Sequence, residues 1–200
     1  MQIVYMILVS FFVFGKHTAK PPLKIAVLYY ANIDEDLKSE LLQNITATYL
    51  CTVTEIKCIA PLPKAAFYKP RNRYRATVLL ESIDSYNGYD KIIGITSKDI
   101  STSKNNIYDW GIMGLANSPG RSCIISTYRI KTPNKVLFND RFIKVALHEL
   151  GHTMGLPHCT FSKVCFMEAA EGTIKSVDRE KRFLCSNCKK LIGQYIRYHD

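Results

Sequence analysis

Three of the five histidines in the chain lie within eleven residues, at His148, His152 and His158. They form the pattern HExxHxxGxxH, with Glu149 directly after the first histidine. Residues four apart lie on one face of a helix, so His148 and His152 can bind one zinc ion through their imidazole nitrogens. Gly155 can end that helix because glycine adopts positive φ without strain. The reversal then brings His158 back as a third ligand.

Three protein ligands leave one position of a tetrahedral zinc ion open for water, which is typical of a catalytic site. Zinc lowers the pKa of bound water to about 7, so a hydroxide-like nucleophile exists at neutral pH. Glu149 is predicted to be the general base that accepts the proton of this water and delivers it to the leaving amine. The predicted reaction is hydrolysis of a peptide bond. The alternatives are a buried helix with packed histidines and a purely architectural zinc site.

A group of four cysteines follows the third histidine, at Cys159, Cys165, Cys185 and Cys188. Two single cysteines followed by a CxxC pair are typical of a closed, four-thiolate structural zinc site. Two disulfides are the alternative, which export would allow. The chain has seven cysteines, so complete pairing within one chain is impossible. Buried thiols are expected at the other three, with a Cys51–Cys58 pair left open if the chain is exported: Cys51, Cys58 and Cys123.

These motifs resemble the archaemetzincin pattern, which has the three-histidine motif, a cysteine directly after it, Cys-x-Met, and a distant CxxC. The resemblance implies two zinc ions per chain, a catalytic one on the histidines and a structural one on the four cysteines. It assigns the general base to Glu149 and the methionine turn beneath the catalytic zinc to Met167. One departure is visible, because five residues separate Cys159 from Cys165 where four are usual.

The resemblance also implies the fold, which is a metzincin-like single domain of the α/β (α+β) class. Such a domain has a twisted mixed sheet, an active-site helix and a small C-terminal subdomain tied by zinc. The catalytic domain is expected over 24–200, with an upper part at 24–155 and a C-terminal part at 156–200. In this family a strand that faces the cleft binds extended substrate by main-chain pairing. The resemblance places that strand at Ile124–Arg129.

Hydrophobic periodicity independently predicts a βαβ arrangement with a largely parallel sheet. Strands are predicted at Lys24–Tyr30, Cys51–Ala60, Lys91–Thr96, Ile112–Leu115 and Ser122–Ile130. Helices are predicted at Glu35–Leu50, at Tyr74–Tyr86 and from about Asp140 through the histidine motif. The last of these is expected to bury Phe142, Ile143, Ala146, Leu147 and Leu150.

Residues 1–15 contain no charged side chain, and the apolar run Ile3–Phe14 is about 12 residues long. That length is too short to cross a bilayer and suits the core of a signal peptide, with cleavage after Gly15. A linker is predicted at 16–23. We therefore expect an exported or periplasmic protein, or a cytoplasmic one if the segment is not a signal. Residues 1–15 could instead form a buried first strand or an uncleaved membrane tether. In the second case this segment is the only part of the chain expected to contact a membrane.

The net charge of +10 raises nucleic acid and anionic surfaces as partner classes. A basic stretch at 64–75 is predicted to be a solvated loop, and no nucleic-acid motif accompanies it. The expected partner is therefore a peptide or protein substrate, and no nucleic acid is expected. The main alternative function is a zinc-binding module without protease activity that binds an acidic partner. Glu149 argues against it, since a scaffold has no need of that carboxylate.

Overall fold

The structure is a computed structural model that describes residues 22–56, 61–170 and 173–198. The predicted signal peptide at 1–15, most of the linker and Cys58 lie outside the described residues. The strands are β1 (Lys24–Tyr29), β2 (Thr52–Ile56), β3 (Phe67–Tyr68), β4 (Arg73–Arg75), β5 (Lys91–Thr96), β6 (Ile100–Lys104), β7 (Ile107–Ile112), β8 (Gly114–Ala116) and β9 (Ser122–Ser126). The helices are α1 (Glu35–Tyr49), α2 (Ala76–Asp84), α3 (Lys135–Thr153), α4 (Ile174–Arg179) and α5 (Ser186–Tyr198).

The first sheet has the strand order β2-β1-β5-β9-β8. The first four strands are parallel, and β8 pairs antiparallel with β9. Both faces are covered, because alternate side chains of β1 enter two different clusters. Val27 packs in the cluster that contains residues of α1 and α3, whereas Leu28 packs with residues of α2. The predicted βαβ arrangement is therefore confirmed, with one antiparallel edge strand.

A second, four-stranded sheet has the order β3-β4-β6-β7 and was not predicted. Part of the basic stretch forms it, so the solvated-loop prediction is wrong for Arg73 and Arg75. Arg73 is half-buried and binds the carboxylates of Asp99 at 2.7 Å and Asp109 at 2.8 Å. These acids lie far along the chain, so the local excess of positive charge did not reveal them. Lys69 and other basic residues of the stretch are exposed, as expected.

The predicted strand Ile112–Leu115 is corrected, because the chain passes from one sheet to the other at this point. β7 ends the second sheet at Ile112, and β8 begins at Gly114 as a strand of the first sheet. The predicted strand from Ser122 also ends early, because a 3₁₀ turn replaces its last residues at Tyr128–Ile130.

Helix α3 positions the histidine motif and begins earlier than predicted, at Lys135. The side chain of Asn134 caps it by accepting a hydrogen bond from Leu137 N at 3.0 Å. The five apolar residues predicted for its inner face are all fully buried. The helix ends at Thr153, and Gly155 has φ +79°, so the predicted glycine reversal is confirmed. None of the helices in the described ranges is both long enough and apolar enough to span a membrane.

Candidate active site

The structure brings the three predicted histidines together at the C-terminal end of α3. Their nearest ring nitrogens all lie within 4.8 Å of one another. His148 Nε2 and His152 Nε2 are 3.0 Å apart, and the ring of His158 lies 4.8 Å from the ring of His152, centroid to centroid. Two nitrogen ligands on a tetrahedral zinc ion would be roughly 3.3 Å apart, since Zn–N bonds are about 2.0–2.1 Å. The spacing therefore fits one shared ion.

Two backbone carbonyls set the tautomers of the first two histidines. His148 Nδ1 lies 2.6 Å from the carbonyl oxygen of Phe166, and His152 Nδ1 lies 2.7 Å from that of Leu156. A carbonyl only accepts hydrogen bonds, so each Nδ1 carries the proton and each Nε2 presents a lone pair. Burial, with the neighbouring His152 second, lowers the pKa of His148 to about 3, which keeps that ring neutral.

Two lone pairs that face each other at 3.0 Å repel unless a cation lies between them. Burial also lowers the pKa of His152 and the pKa of His158. Neutral imidazoles are the form in which histidine binds metal. The donor set, its protonation and its spacing therefore fit a divalent metal ion, and imidazole ligands suit zinc.

Glu149 lies beside this group, on the face of α3 that meets the edge strand. The residue is only 8% exposed, and burial raises the pKa of its carboxyl group to about 8. A Cβ atom at Gly114 would lie 2.5 Å from the Cγ and Oε1 atoms of Glu149. The glycine in β8 thus allows the carboxyl group to pack directly against the strand. Glu149 does not belong to the group of three converging ligands.

A cavity of about 470 Å³ contains His148, His158 and Glu149 in its lining. One wall comes from β6, β7 and β8 and includes Trp110. The segment around α4 also contributes to the lining. Such a cleft between a strand edge and a helix can hold an extended chain next to the three histidines.

The prediction that Ile124–Arg129 is the cleft-facing strand is wrong, although Arg129 at its end lines the cavity. Its first residues belong to β9, which lies between β5 and β8 and is completely buried. The edge strand of the described sheet on this side is β8, which packs against Glu149 at Gly114. The predicted strand Ile112–Leu115 overlaps β8, but sheet order decides which strand lies at the edge, and local periodicity does not reveal that order.

The four predicted cysteines form a second cluster, and all four are buried. The Sγ atoms of Cys159 and Cys185 are 3.6 Å apart, and those of Cys165 and Cys188 are 3.8 Å apart. A disulfide needs about 2.05 Å, whereas two thiolates on tetrahedral zinc with Zn–S bonds of about 2.3 Å are roughly 3.8 Å apart. The four thiols are free in the structure, as are the buried Cys51 and Cys123.

The segment that carries the cysteines also supports the histidines. Phe166, whose carbonyl accepts from His148, directly follows a cysteine of the cluster. Cys159 N donates to the carbonyl of Met167 at 2.6 Å. The Met167 side chain is fully buried, and a Cβ at Gly151 in α3 would lie 2.6 Å from its sulfur. Met167 therefore packs against the active-site helix, where the sequence placed a methionine turn.

Sequence reasoning missed three residues that shape the site. Tyr49 donates to the carbonyl of Leu147 at 2.5 Å and so ties α1 to α3. Gly114 makes room for Glu149, and Glu180 lines the cavity. None of them belongs to a motif, so no spacing signal in the sequence distinguishes them.

The fold and the site define a zinc metallopeptidase that acts on peptide or protein substrates. Residues 25–194 match the family model described as Peptidase family M54. The match spans most of the chain, and the chain therefore belongs to Peptidase family M54. The resemblance to the archaemetzincins is confirmed.

Relatives in this family match over most of their own length. The chain is 34% identical to an archaemetzincin of Methanopyrus kandleri over 150 residues, 74% of this chain and 82% of the relative. It is 29% identical to an archaemetzincin of Halobacterium salinarum over 179 residues, 85% of this chain and 99% of the relative. A crystal structure of the Methanopyrus kandleri archaemetzincin superposes with a TM-score of 0.78 at 29% identity, covering 88% and 96% of the two chains.

Proposed function

We propose that the chain hydrolyses peptide bonds at the three-histidine site, with Glu149 as the general base. The observation that carries the proposal is the convergence of three neutral imidazoles beside a buried carboxyl group, at a cavity that His148, His158 and Glu149 line. His148, His152 and His158 would hold a catalytic zinc ion. When bound, zinc supplies an acidified water and polarises the scissile carbonyl.

The residues of the chain would perform the proton transfer and the positioning. Glu149 would take the proton of the attacking water and pass it to the leaving amine. The carbonyls of Phe166 and Leu156 hold two of the histidine rings in orientation, which keeps each Nε2 directed to the centre. The edge strand β8 would align an extended substrate by main-chain hydrogen bonds across the cavity.

A second zinc ion would bind Cys159, Cys165, Cys185 and Cys188. None of these four cysteines lines the cavity, and all four are buried. The role of this ion would therefore be structural. It would fasten the C-terminal segment that carries Phe166 and Met167 to the active-site helix. The expected stoichiometry is therefore two zinc ions per chain.

Elemental analysis and peptide cleavage on one purified sample test this proposal. We expect two zinc ions per chain and cleavage of a peptide library. A chelator should remove the zinc on the half-exposed histidines first, abolish cleavage, and leave about one zinc on the buried cysteines. Added zinc should then restore activity. A protein that holds both zinc ions and cleaves no peptide would instead be the zinc-binding module without protease activity.

Export stays a prediction, because residues 1–15 lie outside the described residues. A four-thiolate site needs reduced cysteines, whereas oxidising compartments favour disulfides. N-terminal sequencing of the protein from its native host would decide whether the segment is removed.

A further inference from the structure

Glu180 is a buried acid in the active-site cavity that the proposed chemistry does not use. It lies directly after α4 and lines the same cavity as His148 and Glu149. The residue is only 6% exposed. Its Oε1 atom is buried and accepts no hydrogen bond from the part of the chain that the structure describes. A buried carboxyl oxygen that accepts no hydrogen bond is costly, so it calls for a functional explanation.

The cations near Glu180 are bound to other acids. Lys144 is fully buried, with its Nζ 2.6 Å from a carboxylate oxygen of Asp140 and 2.9 Å from the main-chain carbonyl of Glu180. The guanidinium of Arg179 binds both carboxylate oxygens of Glu168 at 2.8 Å. Burial accordingly raises the pKa of Glu180 to about 8. A cation entering the cavity would give this carboxylate the partner that it lacks.

Apolar side chains line the same cavity as this acid. Val145 lies on α3 one turn before Glu149, and Ile174 and Val177 share a face of α4. All three line the cavity with Glu180. Lysine and arginine combine an apolar stem with a charged head, so they match an apolar passage that contains a carboxylate. A purely apolar side chain would bury the acid further without pairing it.

The two basic residues that line the cavity are Lys104 and Arg129, and both are engaged with the second sheet. Lys104 lies over the ring of Trp110, with its Nζ 5.1 Å from the ring centroid, in β6 and β7 of the second sheet. Arg129 packs against Gly111 in the same sheet and binds Asp99 at 2.7 Å. Glu180 therefore lies at the α4 side of the lining, whereas Lys104 lies on the second sheet and Arg129 packs against it.

We infer that Glu180 makes the enzyme select substrates with lysine or arginine at a position next to the scissile bond. The inference rests on the proposed function, because it assumes that peptides bind across this cavity. Glu180 would contact the substrate side chain and not the reacting atoms. It is therefore a specificity-determining residue, distinct from the base Glu149.

A matched pair of peptides tests the inference, one with lysine and one with norleucine at each position flanking the cleaved bond. Norleucine has nearly the stem of lysine and lacks the ammonium group. We expect the wild-type zinc-loaded enzyme to cleave the lysine peptide at least about 10-fold better at one position, as kcat/KM. Glu180→Gln should reduce that ratio to near one. The control Glu81→Gln removes an exposed, distant acid and should retain the preference.

A binding measurement separates this inference from the proposed function. Trp110, the only tryptophan in the chain, lines the cavity, so its fluorescence reports peptide binding without turnover. Zinc-loaded Glu149→Gln should bind the lysine peptide more tightly than the norleucine peptide, and Glu149→Gln with Glu180→Gln should not. If the wild type cleaves nothing but this difference holds, the proposed function fails and the selectivity of Glu180 stands. Equal binding and equal cleavage of the two peptides would overturn the inference.

Discussion

The histidine centre and the cysteine cluster adjoin each other in the chain but present their ligands differently. His148 and His152 are half-buried and His158 is exposed, and His148 and His158 line the active-site cavity. The four cysteines are all buried, and no cysteine lines that cavity. A catalytic metal ion needs a coordination position that substrate can reach. A structural metal ion has all its positions filled by protein ligands. The two sites lie close together in the chain, so the burial of their ligands is what distinguishes a catalytic site from a structural one.

The two regions also depend on each other unequally. The cysteine-bearing segment supplies the carbonyl that orients His148 and the methionine that packs on Gly151. His148 and His152 lie on a helix whose inner face is buried in the main core. Loss of the cysteine cluster should therefore disturb the histidine centre more than the reverse.

The largest effect is expected from Cys185→Ser, which removes one thiolate from the closed cluster. Zinc content should fall from two ions to one per chain. The free energy of unfolding should fall by more than about 4 kcal/mol, as is usual when a structural metal is lost. Activity should fall with it, because the Phe166 carbonyl loses its position. Metal analysis and denaturant unfolding measure these changes.

Cys51→Ser is the matched control, since Cys51 is a buried thiol outside both clusters. It should retain both zinc ions. A Cys185→Ser protein that still bound two zinc ions would eliminate the four-thiolate site.

Glu149→Gln should affect the open centre alone. The amide cannot accept the proton of the attacking water, so kcat/KM should fall by about 10²- to 10⁴-fold. Both zinc ions and the fold should be retained, because neither metal group includes this residue. Peptide cleavage and metal analysis on one preparation provide the test, with Glu81→Gln as the control. Substantial residual activity would remove Glu149 as the base.

Gly151→Ala tests the contact between the two regions. The added Cβ would lie 2.6 Å from the sulfur of Met167 and 3.2 Å from the hydroxyl of Tyr49. Overpacking of this kind costs about 1–3 kcal/mol, which thermal unfolding would detect. At Gly193 in α5, a Cβ meets nothing within 4 Å. Gly193→Ala should therefore leave stability unchanged or raise it by up to about 1 kcal/mol. Equal stabilities of the two variants would contradict the packing described for Met167.

The smallest effect is expected from an ion pair that links α3 to α4 without a metal ion. Arg141 in α3 forms two hydrogen bonds to the carboxylate of Asp178 in α4, at 2.6 Å and 2.7 Å. Asp178→Asn should cost about 1 kcal/mol at neutral pH. Hydrogen bonding by Arg141 lowers the pKa of Asp178. The stabilisation is therefore present above the unfolded-state pKa and is lost as the pH falls through the folded-state value.

Unfolding measured across acidic pH should show this difference between wild type and Asp178→Asn disappear at the acid end. A difference that did not change with pH would mean that the ion pair contributes nothing.

The fold illustrates which elements a sequence reveals. The helix at Glu35–Tyr49 and the strand at Lys91–Thr96 match their predicted ranges closely, because long apolar patterns reflect burial against one or two faces. The short strands of the second sheet were missed. β3 and β4 have two and three residues, and Arg73 in β4 forms ion pairs with the distant acids Asp99 and Asp109. Local periodicity contains no information about such partners.

The site divides in the same way. The sequence alone determined that His148 and His152 face one direction and that the chain reverses at Gly155, since helix geometry and glycine conformation are local properties. Only the tertiary structure decided that β8 and not β9 borders the cleft, and that Glu180 enters the cavity. Sheet order and cavity walls arise from contacts between distant segments, and those contacts depend on how the whole chain packs.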